Sequence, residues 1–309
     1  MNAVPQRAPA VGVDIGGTSL RVGWLGSPTV GRRAIGRDTS LADLLAAVEE
    51  ALVAAHCPTP ATMVVAVPTY VGEDGRLLDC PSLPDLTGAA LAKDLRDRLR
   101  ADAVEVRPDL ACAALGEARL GRGSGVGRLV VVALGTGANA AAVVDGTLVE
   151  TAYGCLGDAG HVIVDPAGPV CPCGGRGCLE SICSGWALGA AAHDLGLSDA
   201  AALVRAAQDG HADAQTVVTR AGVALGRAIS TWSVMLWPDV VAVAGGLAQA
   251  GEALLGPARA ELHRVAPPYV ADRISVELAE LGAHATLVGA LLLASGQEPL
   301  VRAWAAQLS

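Results

Sequence analysis

The sequence predicts a two-domain α/β protein, and three observations support this prediction. The chain has 309 residues, of which 52% are apolar and 17% charged, a composition suited to a soluble protein with a sizeable core. Short β-branched runs alternate with longer helical patterns up to residue 120. The glycine-rich polar stretch 121–127 then indicates a connector, after which a second series of strands and helices begins.

The first domain is expected to span residues 1–120. Strands are predicted at "VGVDI", "RVGWL", "MVVAVP" and "VEVR", and helices at "LADLLAAVEEALVAAH" and "GAALAKDLRDRLRAD". The strand "VEVR" ends at the turn Pro108-Asp109, and a helix of small residues follows it. A carboxylate at a strand-to-helix turn is well placed for a catalytic base, so Asp109 is a candidate.

The second domain is expected to span residues 121–290, and a C-terminal helix over 291–309 is expected to pack back on the first domain. Strands are predicted at "RLVVVAL", "DVVAVA" and "ISVEL", with a hairpin turn at Asp145-Gly146. Residues 185–236 have an almost entirely helical pattern.

Charge and hydropathy argue against nucleic-acid and membrane partners. The formal net charge is −9, with no block of like charges, so the electrostatic pattern of a nucleic-acid binder is missing. The N-terminus lacks the pattern of a signal peptide, and the apolar run 285–295 is too short to span a bilayer. We therefore expect a cytoplasmic protein.

Three predicted strands end in glycine turns: "DIGGT", "LGTG" and "AGG". Glycines at a strand end allow the backbone to approach a phosphate closely, and Asp14 beside the first turn could hold a hydrated Mg²⁺. One such turn is more often an ordinary tight turn. Three of them would suit the clamping of a nucleoside triphosphate, although neither a Walker loop nor a dinucleotide fingerprint occurs at these strand ends.

A cluster of metal-ligand residues follows the second glycine turn. His161, Cys171, Cys173 and Cys178 lie on a proline- and glycine-rich segment, with C-x-C-x4-C spacing. Disulfides are the alternative, but neighbouring loop cysteines in a cytosolic chain favour a metal. Four protein ligands would form a closed, structural zinc site. The other five cysteines lie among apolar or small residues and are predicted to be core residues: Cys57, Cys80, Cys112, Cys155 and Cys183.

Together these motifs resemble the ROK family (repressor, open reading frame, kinase) along nearly the whole chain. The resemblance implies the two-domain actin-like ATPase (ribonuclease H-like) fold, with a nucleotide and sugar cleft between the domains. It also implies an ATP- and Mg²⁺-dependent sugar kinase with a structural Zn²⁺, assembled as a homodimer. The strings that carry the resemblance are "VGVDIGGTSLRVGWL", "RPDLACAALGEA", "GDAGHVIVDP", "CPCGGRGCLE", "WPDVVAVAGGLAQAGEALLGPARAEL" and "LGAHATLVGALLLA".

The resemblance implies roles for the residues at matching positions. Asp109 matches the general base that acts on the 6-hydroxyl of the sugar. The positions that match nucleotide-binding residues are Asp14, Gly16, Gly17, Thr18, Gly135, Thr136, Gly137, Gly245 and Gly246. The sugar-binding positions are Asp109, Asp158, His161 and Glu180, and the zinc ligands are His161, Cys171, Cys173 and Cys178.

Two departures from the family pattern concern the sugar. Pro108 replaces an asparagine that bonds ring hydroxyls 3 and 4, and Asp158 replaces a glutamate. A site that loses the bonding amide discriminates less against analogues at that ring position. The substrate is therefore expected to be glucose or a modified hexose such as a 3-amino-3-deoxyglucose (kanosamine-like). The alternatives are a cyclitol kinase and a catalytically inactive sugar sensor of the same fold.

Overall fold

The structure is a computed structural model that describes residues 9–151 and 155–308. The chain forms two units, and each has its own apolar core. The first unit comprises the described residues of Met1–Leu120, Glu150–Cys155 and His284–Ser309, and the second comprises those of Gly121–Val149 and Leu156–Ala283. Residues 1–8 and Ser309, which belong to the predicted first domain, lie outside the described residues.

Two boundaries differ from the sequence prediction. Glu150, Thr151 and Cys155 belong to the first unit rather than to the second, and the returning C-terminal segment begins at His284 rather than at 291. In place of one helix over 291–309, the structure has two, separated at Gly296, whose φ is +61°. The apolar run 285–295 is one continuous helix, and its Ala290 packs with Val64, Ala66 and Cys112 of the first unit.

In the described part of the chain we number ten strands and ten helices. The strands are β1 (Ala10–Ile15), β2 (Ser19–Trp24), β3 (Ser27–Ala34), β4 (Thr62–Val67), β5 (Ala103–Pro108), β6 (Arg128–Leu134), β7 (Ala138–Val144), β8 (Thr147–Val149), β9 (Val240–Ala244) and β10 (Ser275–Leu278). The helices are α1 (Leu41–Ala54), α2 (Leu91–Leu99), α3 (Asp109–Leu120), α4 (Gly185–Asp194), α5 (Ala200–Gln208), α6 (Ala212–Leu236), α7 (Glu252–Val265), α8 (Pro268–Ala271), α9 (Ala285–Ser295) and α10 (Glu298–Ala305).

The sheet of the first unit has the strand order β3-β2-β1-β4-β5. β1, β2 and β3 pair antiparallel, and β4 and β5 add in parallel on the other side of β1. The sequence analysis missed β3, because its segment contains Pro28, Gly31 and two arginines, which are uncommon within a strand. β3 is an edge strand, where charged side chains are tolerated.

Helix α9 lies against both β1 and α3, and glycines make this close approach possible. A Cβ at Gly289 would lie 1.7 Å from the carbonyl oxygen of Cys112 in α3, and a Cβ at Gly116 would lie 2.4 Å from that of Ala285. A Cβ at Gly12 in β1 would lie 3.0 Å from Leu291. The helix that begins at Asp109 is therefore fixed by backbone contact with α9.

The sheet of the second unit has the strand order β10-β9-β6-β7-β8. The predicted hairpin is confirmed: Asp145 and Gly146 connect β7 to β8, and both have positive φ, as a two-residue type I′ turn requires. The predicted helical region 185–236 contains α4, α5 and α6, and the 25-residue helix α6 packs on α7. In residues 9–151 and 155–308, no helix has both the length and the hydropathy that a membrane crossing requires.

The two units repeat one topology. In each, three antiparallel strands are followed by two strands that add in parallel beside the first, so β6-β7-β8-β9-β10 repeats the arrangement of β1 to β5. The carboxyl ends of β1 and β6 therefore occupy equivalent positions, and a glycine turn follows each of them. This repetition agrees with the predicted actin-like ATPase fold of two ribonuclease H-like units.

Two helical glycines should respond in opposite ways to substitution by alanine, one at the α3–α9 contact and one in open space on α4. Gly289→Ala should lower the free energy of unfolding by about 1–3 kcal/mol or more, because its methyl group overlaps a backbone carbonyl. Gly189→Ala should raise it by about 0.5–1 kcal/mol, because this glycine lies within α4 with no atom near its absent Cβ. Urea denaturation followed by circular dichroism measures both, and a Gly289→Ala protein as stable as the wild type would contradict the packing.

Candidate functional site

The first glycine turn joins β1 to β2. The amide of Gly16 donates to the carbonyl of Ser19 at 2.9 Å, which closes the turn. Gly16 and Gly17 are half-buried and Thr18 is exposed. A Cβ at Gly17 would lie 3.3 Å from Ser82, so a larger residue would press on the neighbouring loop. The turn presents backbone and a hydroxyl group where a phosphate could approach.

Asp14, which precedes this turn, is paired with Arg21 across the β1–β2 hairpin. Arg21 Nε donates to Asp14 Oδ2 at 3.0 Å, and a second guanidinium nitrogen donates to the same oxygen. Burial raises the pKa of the Asp14 carboxyl, and Arg21 opposes that shift. Mg²⁺ in enzymes usually keeps several waters and uses one or two carboxylates, so this oriented carboxylate fits a hydrated ion.

The sequence analysis missed Arg21. It lies seven residues after Asp14 in "DIGGTSLR", and a tight hairpin through the glycines places these two positions directly opposite each other. The register of the hairpin was the signal that could have identified the pair.

Asp109 is the first residue of α3, directly after the buried Pro108 that ends β5. Its side chain is half-buried, and its Oδ1 accepts a hydrogen bond from the Leu110 amide at 2.6 Å. Burial raises the pKa of the Asp109 carboxyl to about 7; the nearby Asp14 adds to the rise and the Leu110 amide opposes it. A carboxyl that titrates near neutral pH has the basicity that a general base needs.

Three buried cysteines lie close to Asp109 in the first unit: Cys80, Cys112 and Cys155. Burial raises the pKa of all three thiols, that of Cys155 to about 12. They are neutral, weakly polar neighbours at physiological pH, and their burial agrees with their prediction as core residues.

The second and third glycine turns are neighbours in the second unit. Gly135, Thr136 and Gly137 follow β6, and Gly245 and Gly246 follow β9, its parallel neighbour. Gly245 has φ +94°, and a Cβ there would lie 2.4 Å from the carbonyl of Leu134. Leu134 directly precedes the Gly135–Gly137 turn. A residue with a side chain would be strained at position 245. The structure thus brings together two glycine turns that the sequence separates by more than a hundred residues.

Asp158, His161 and Glu180 lie near the start of β7. The short 3-10 helix Ala159–His161 touches this strand through Gly160, where a Cβ would lie 1.8 Å from the carbonyl of Ala138. Asp158 Oδ2 lies 3.5 Å from His161 Nε2. The backbone amide of Glu180 donates a hydrogen bond to the Gly160 carbonyl at 2.9 Å.

Glu180 also reaches the second glycine turn. Its Oε2 accepts a hydrogen bond from the Ala138 amide at 3.0 Å, and its Oε1 lies 3.5 Å from the indole nitrogen of Trp186. Sequence reasoning did not identify Trp186, since a tryptophan in an apolar helix start gives no distinct signal.

The predicted metal ligands are together. The ligand atoms of His161, Cys171, Cys173 and Cys178 all lie within 4.8 Å of one another. Cys173 Sγ lies 3.7 Å from Cys178 Sγ, and Cys171 Sγ lies 3.6 Å from His161 Nδ1. A tetrahedral zinc with Zn–S bonds of about 2.3 Å separates its sulfurs by about 3.8 Å. These four residues could therefore hold zinc, and the donor set of three thiolates and one imidazole fits that ion.

The predicted residues thus form one set in each unit. Asp14, the Gly16–Thr18 turn and Asp109 belong to the first, and the other glycine turns, the cysteine cluster and the remaining sugar-binding candidates belong to the second. In each set the glycine turns lie at the carboxyl ends of strands, the edge at which open α/β sheets bind their ligands.

Comparisons with known proteins agree with this arrangement. The chain matches the ROK family over residues 10–297. A glucokinase of Thermotoga maritima is 30% identical over 302 residues, which cover 91% of this chain and 95% of that protein. An N-acetylmannosamine kinase of Salmonella typhi is 35% identical over 169 residues, 54% of this chain and 57% of that protein. The crystal structure of a ROK hexokinase from Thermus thermophilus superposes with a TM-score of 0.75 at 26% identity, covering 93% and 97% of the two chains. The chain therefore belongs to the ROK family.

Proposed function

We propose that this chain is a kinase of free hexoses that transfers the γ-phosphate of ATP to the 6-hydroxyl of the sugar. The observation that carries the proposal is Asp109, a carboxyl at the start of a helix with a pKa of about 7. The similarity to a glucokinase along nearly the whole chain supports it. Phosphoryl transfer needs positioning and charge stabilisation more than covalent chemistry, so one base and phosphate-binding turns would suffice.

In this proposal Asp109 acts as the general base. It accepts the proton of the 6-hydroxyl while the hydroxyl oxygen attacks the γ-phosphorus. The bond from that phosphorus to the bridging oxygen breaks as the new bond forms, which yields a sugar 6-phosphate and ADP. A base with a pKa near 7 is substantially ionised at neutral pH and is basic enough to accept the proton.

The glycine turns would bind the nucleotide. The Gly16–Thr18 turn and the Gly135–Gly137 turn are assigned to the phosphates, and Gly245 and Gly246 to the adenosine side. Mg²⁺, when bound, neutralises charge on the phosphate oxygens. Asp14 would hold that ion through water, and Arg21 keeps the Asp14 carboxylate in one orientation.

The remaining candidates would bind the sugar and the structural metal. Asp158, His161 and Glu180 are assigned to ring hydroxyls, together with Asp109. Zinc would be held by His161 and the three cysteines, and four protein ligands leave no position open for catalysis. The role of the ion would be to fix the segment that carries His161 and Glu180.

The proposal about the substrate rests on Pro108. It is buried directly before the base and offers neither an amide side chain nor a backbone N–H. A glucose skeleton with another group at position 3, such as a 3-amino-3-deoxyglucose, would tolerate this loss better than glucose, which remains the other candidate. The retained Asp109 disfavours an inactive sensor, and a cyclitol would need the same base.

We also propose a cytoplasmic homodimer, in keeping with the sequence analysis. The second unit exposes large apolar side chains that a second copy could cover: Val234, Met235, Trp237, Val265 and Tyr269. Of these, the rings of Trp237 and Tyr269 are neighbours, with centroids 5.8 Å apart.

Asp109→Asn should abolish most of the activity. The amide cannot accept the proton, so kcat should fall by about 10²–10⁴-fold while the KM of the sugar changes little. ADP release with ATP and a panel of hexoses measures this, and Asp102→Asn, at an exposed position of the same unit, is the matched control. Wild-type turnover in a folded Asp109→Asn protein would refute the assignment of the base.

The same pair of proteins should differ in pH dependence. Only the ionised carboxylate can act, so wild-type kcat should rise with pH up to about 7 and then level off. The pKa of Asp109 is about 7 in the folded protein and about 3.9 in an unfolded chain, so ionisation in the folded state costs stability above about pH 4. Asp109→Asn should therefore raise the midpoint temperature of thermal unfolding at pH 8 and leave it near the wild-type value at pH 4. Equal shifts of the midpoint at both pH values would argue against a raised pKa of Asp109.

Restoring the amide before the base should shift sugar preference. Pro108→Asn should increase kcat/KM for glucose relative to 3-amino-3-deoxyglucose, by about tenfold if a hydroxyl contact is regained. Steady-state kinetics with both sugars, mannose, N-acetylated hexosamines and cyclitols measures the change. An unchanged preference in a stable Pro108→Asn protein would remove Pro108 from the specificity argument.

A further inference from the structure

The Gly135–Gly137 turn is the second of the proposed phosphate-binding turns. Three hydrogen bonds join this turn and the next residue, Ala138, to one short segment. The amide of Gly185 donates to the carbonyl of Gly135 at 2.7 Å, and the amide of Trp186 donates to that of Thr136 at 3.1 Å. The third bond runs from the Ala138 amide to Glu180 Oε2 at 3.0 Å. The turn is thus bonded on both sides by residues 180–186.

A side chain at Gly137 would collide with the Glu180 carboxylate in the position where it bonds Ala138. A Cβ at Gly137 would lie 2.6 Å from Glu180 Oε2. At the other end of the turn, a Cβ at Gly185 would lie 2.7 Å from the Gly135 carbonyl. The contact therefore requires a glycine in the turn and a glycine in the segment 180–186. The Glu180 carboxylate accepts a backbone hydrogen bond in the absence of any ligand.

Glu180 is also fixed to the metal-binding cluster. It follows Cys178 by two residues, and the backbone between them is bonded to the segment that carries His161. The amide of Leu179 donates to the Val162 carbonyl, and that of Glu180 to the Gly160 carbonyl, both at 2.9 Å. After Glu180 the chain continues as a turn in which the Cys183 amide donates to Leu179 at 2.7 Å. A rigid path runs from the cysteines through Glu180 to the glycine turn.

We propose that Glu180 is a positioning residue for the Gly135–Gly137 turn, and that it transmits the order imposed by the metal cluster to the phosphate-binding backbone. Trp186 supports this role, because its indole N–H lies near the other carboxylate oxygen and its amide bonds the turn directly. Loss of the metal would then weaken nucleotide binding as well as sugar binding. The inference rests on the proposed function in one respect, the assignment of the Gly135–Gly137 turn to the nucleotide phosphates.

Hydrogen–deuterium exchange tests the positioning without any ligand. In Glu180→Ala the amide of Ala138 should exchange at least about tenfold faster than in the wild type, because its hydrogen-bond acceptor is gone. Glu180→Gln keeps a carbonyl acceptor and should remain protected. Metal analysis first checks that the protein holds about one zinc per chain. Removal of this metal should then accelerate exchange at the same amide as Glu180→Ala does. Unchanged exchange at Ala138 in Glu180→Ala, or acceleration confined to 171–178 on metal removal, would overturn the proposal.

Nucleotide affinity tests the functional consequence. Calorimetric titration with Mg²⁺ and a non-hydrolysable ATP analogue, without sugar, should show a Kd raised about five- to tenfold in Glu180→Ala and by less in Trp186→Phe. Glu180→Gln should keep the wild-type Kd, although it removes the charge offered to the sugar. Trp24→Phe, which removes an indole hydrogen bond to the Ala55 carbonyl in the first unit, is the control and should bind like the wild type. An unchanged Kd in Glu180→Ala would overturn the inference alone, whereas a wild-type protein without nucleotide affinity would contradict the proposed function.

Discussion

Backbone contact through glycine is the constraint on which this structure depends. In the first unit, Gly116 and Gly289 bring α9 onto α3 and so hold the helix that starts with Asp109. In the second, Gly160 lies against β7 and Gly245 against the end of β6, and Gly137 admits the Glu180 carboxylate. At each of these positions a methyl group would overlap a backbone or carboxylate oxygen. The candidate site is therefore positioned mainly by peptide groups, whose directions are more tightly fixed than those of long side chains.

Much of this arrangement could be predicted from the sequence, because the strongest signals are local. Buried strands that end in glycines, the spacing of Cys171, Cys173 and Cys178, and the turn at Asp145-Gly146 depend on neighbouring residues, and the structure contains all of them. The family resemblance supplied the remaining candidate residues by position. β3 was missed because an edge strand need not follow the apolar pattern of the other strands.

What the sequence could not provide were contacts between distant segments. The pairing of Arg21 with Asp14 requires a known hairpin register, and the bond from Ala138 to Glu180 joins residues 42 positions apart. The raised pKa of Asp109 arises from burial and from the nearby Asp14, and no local sequence pattern encodes either of them. The return of the C-terminal segment to the first unit was predicted, but its start at His284 rather than at 291 depends on tertiary packing. These non-local features are the ones that give the candidate residues their chemistry.

The central claim is that Asp109 activates the primary hydroxyl of a hexose toward ATP. The most direct test is to determine which oxygen of the product carries the phosphate, by two-dimensional phosphorus–proton NMR of the sugar phosphate formed from the fastest hexose. The account predicts a phosphorus coupled to the two methylene protons at carbon 6, with one ADP released for each phosphosugar. A phosphorus coupled to the anomeric proton or to a ring methine, or ADP release without a phosphosugar, would contradict it.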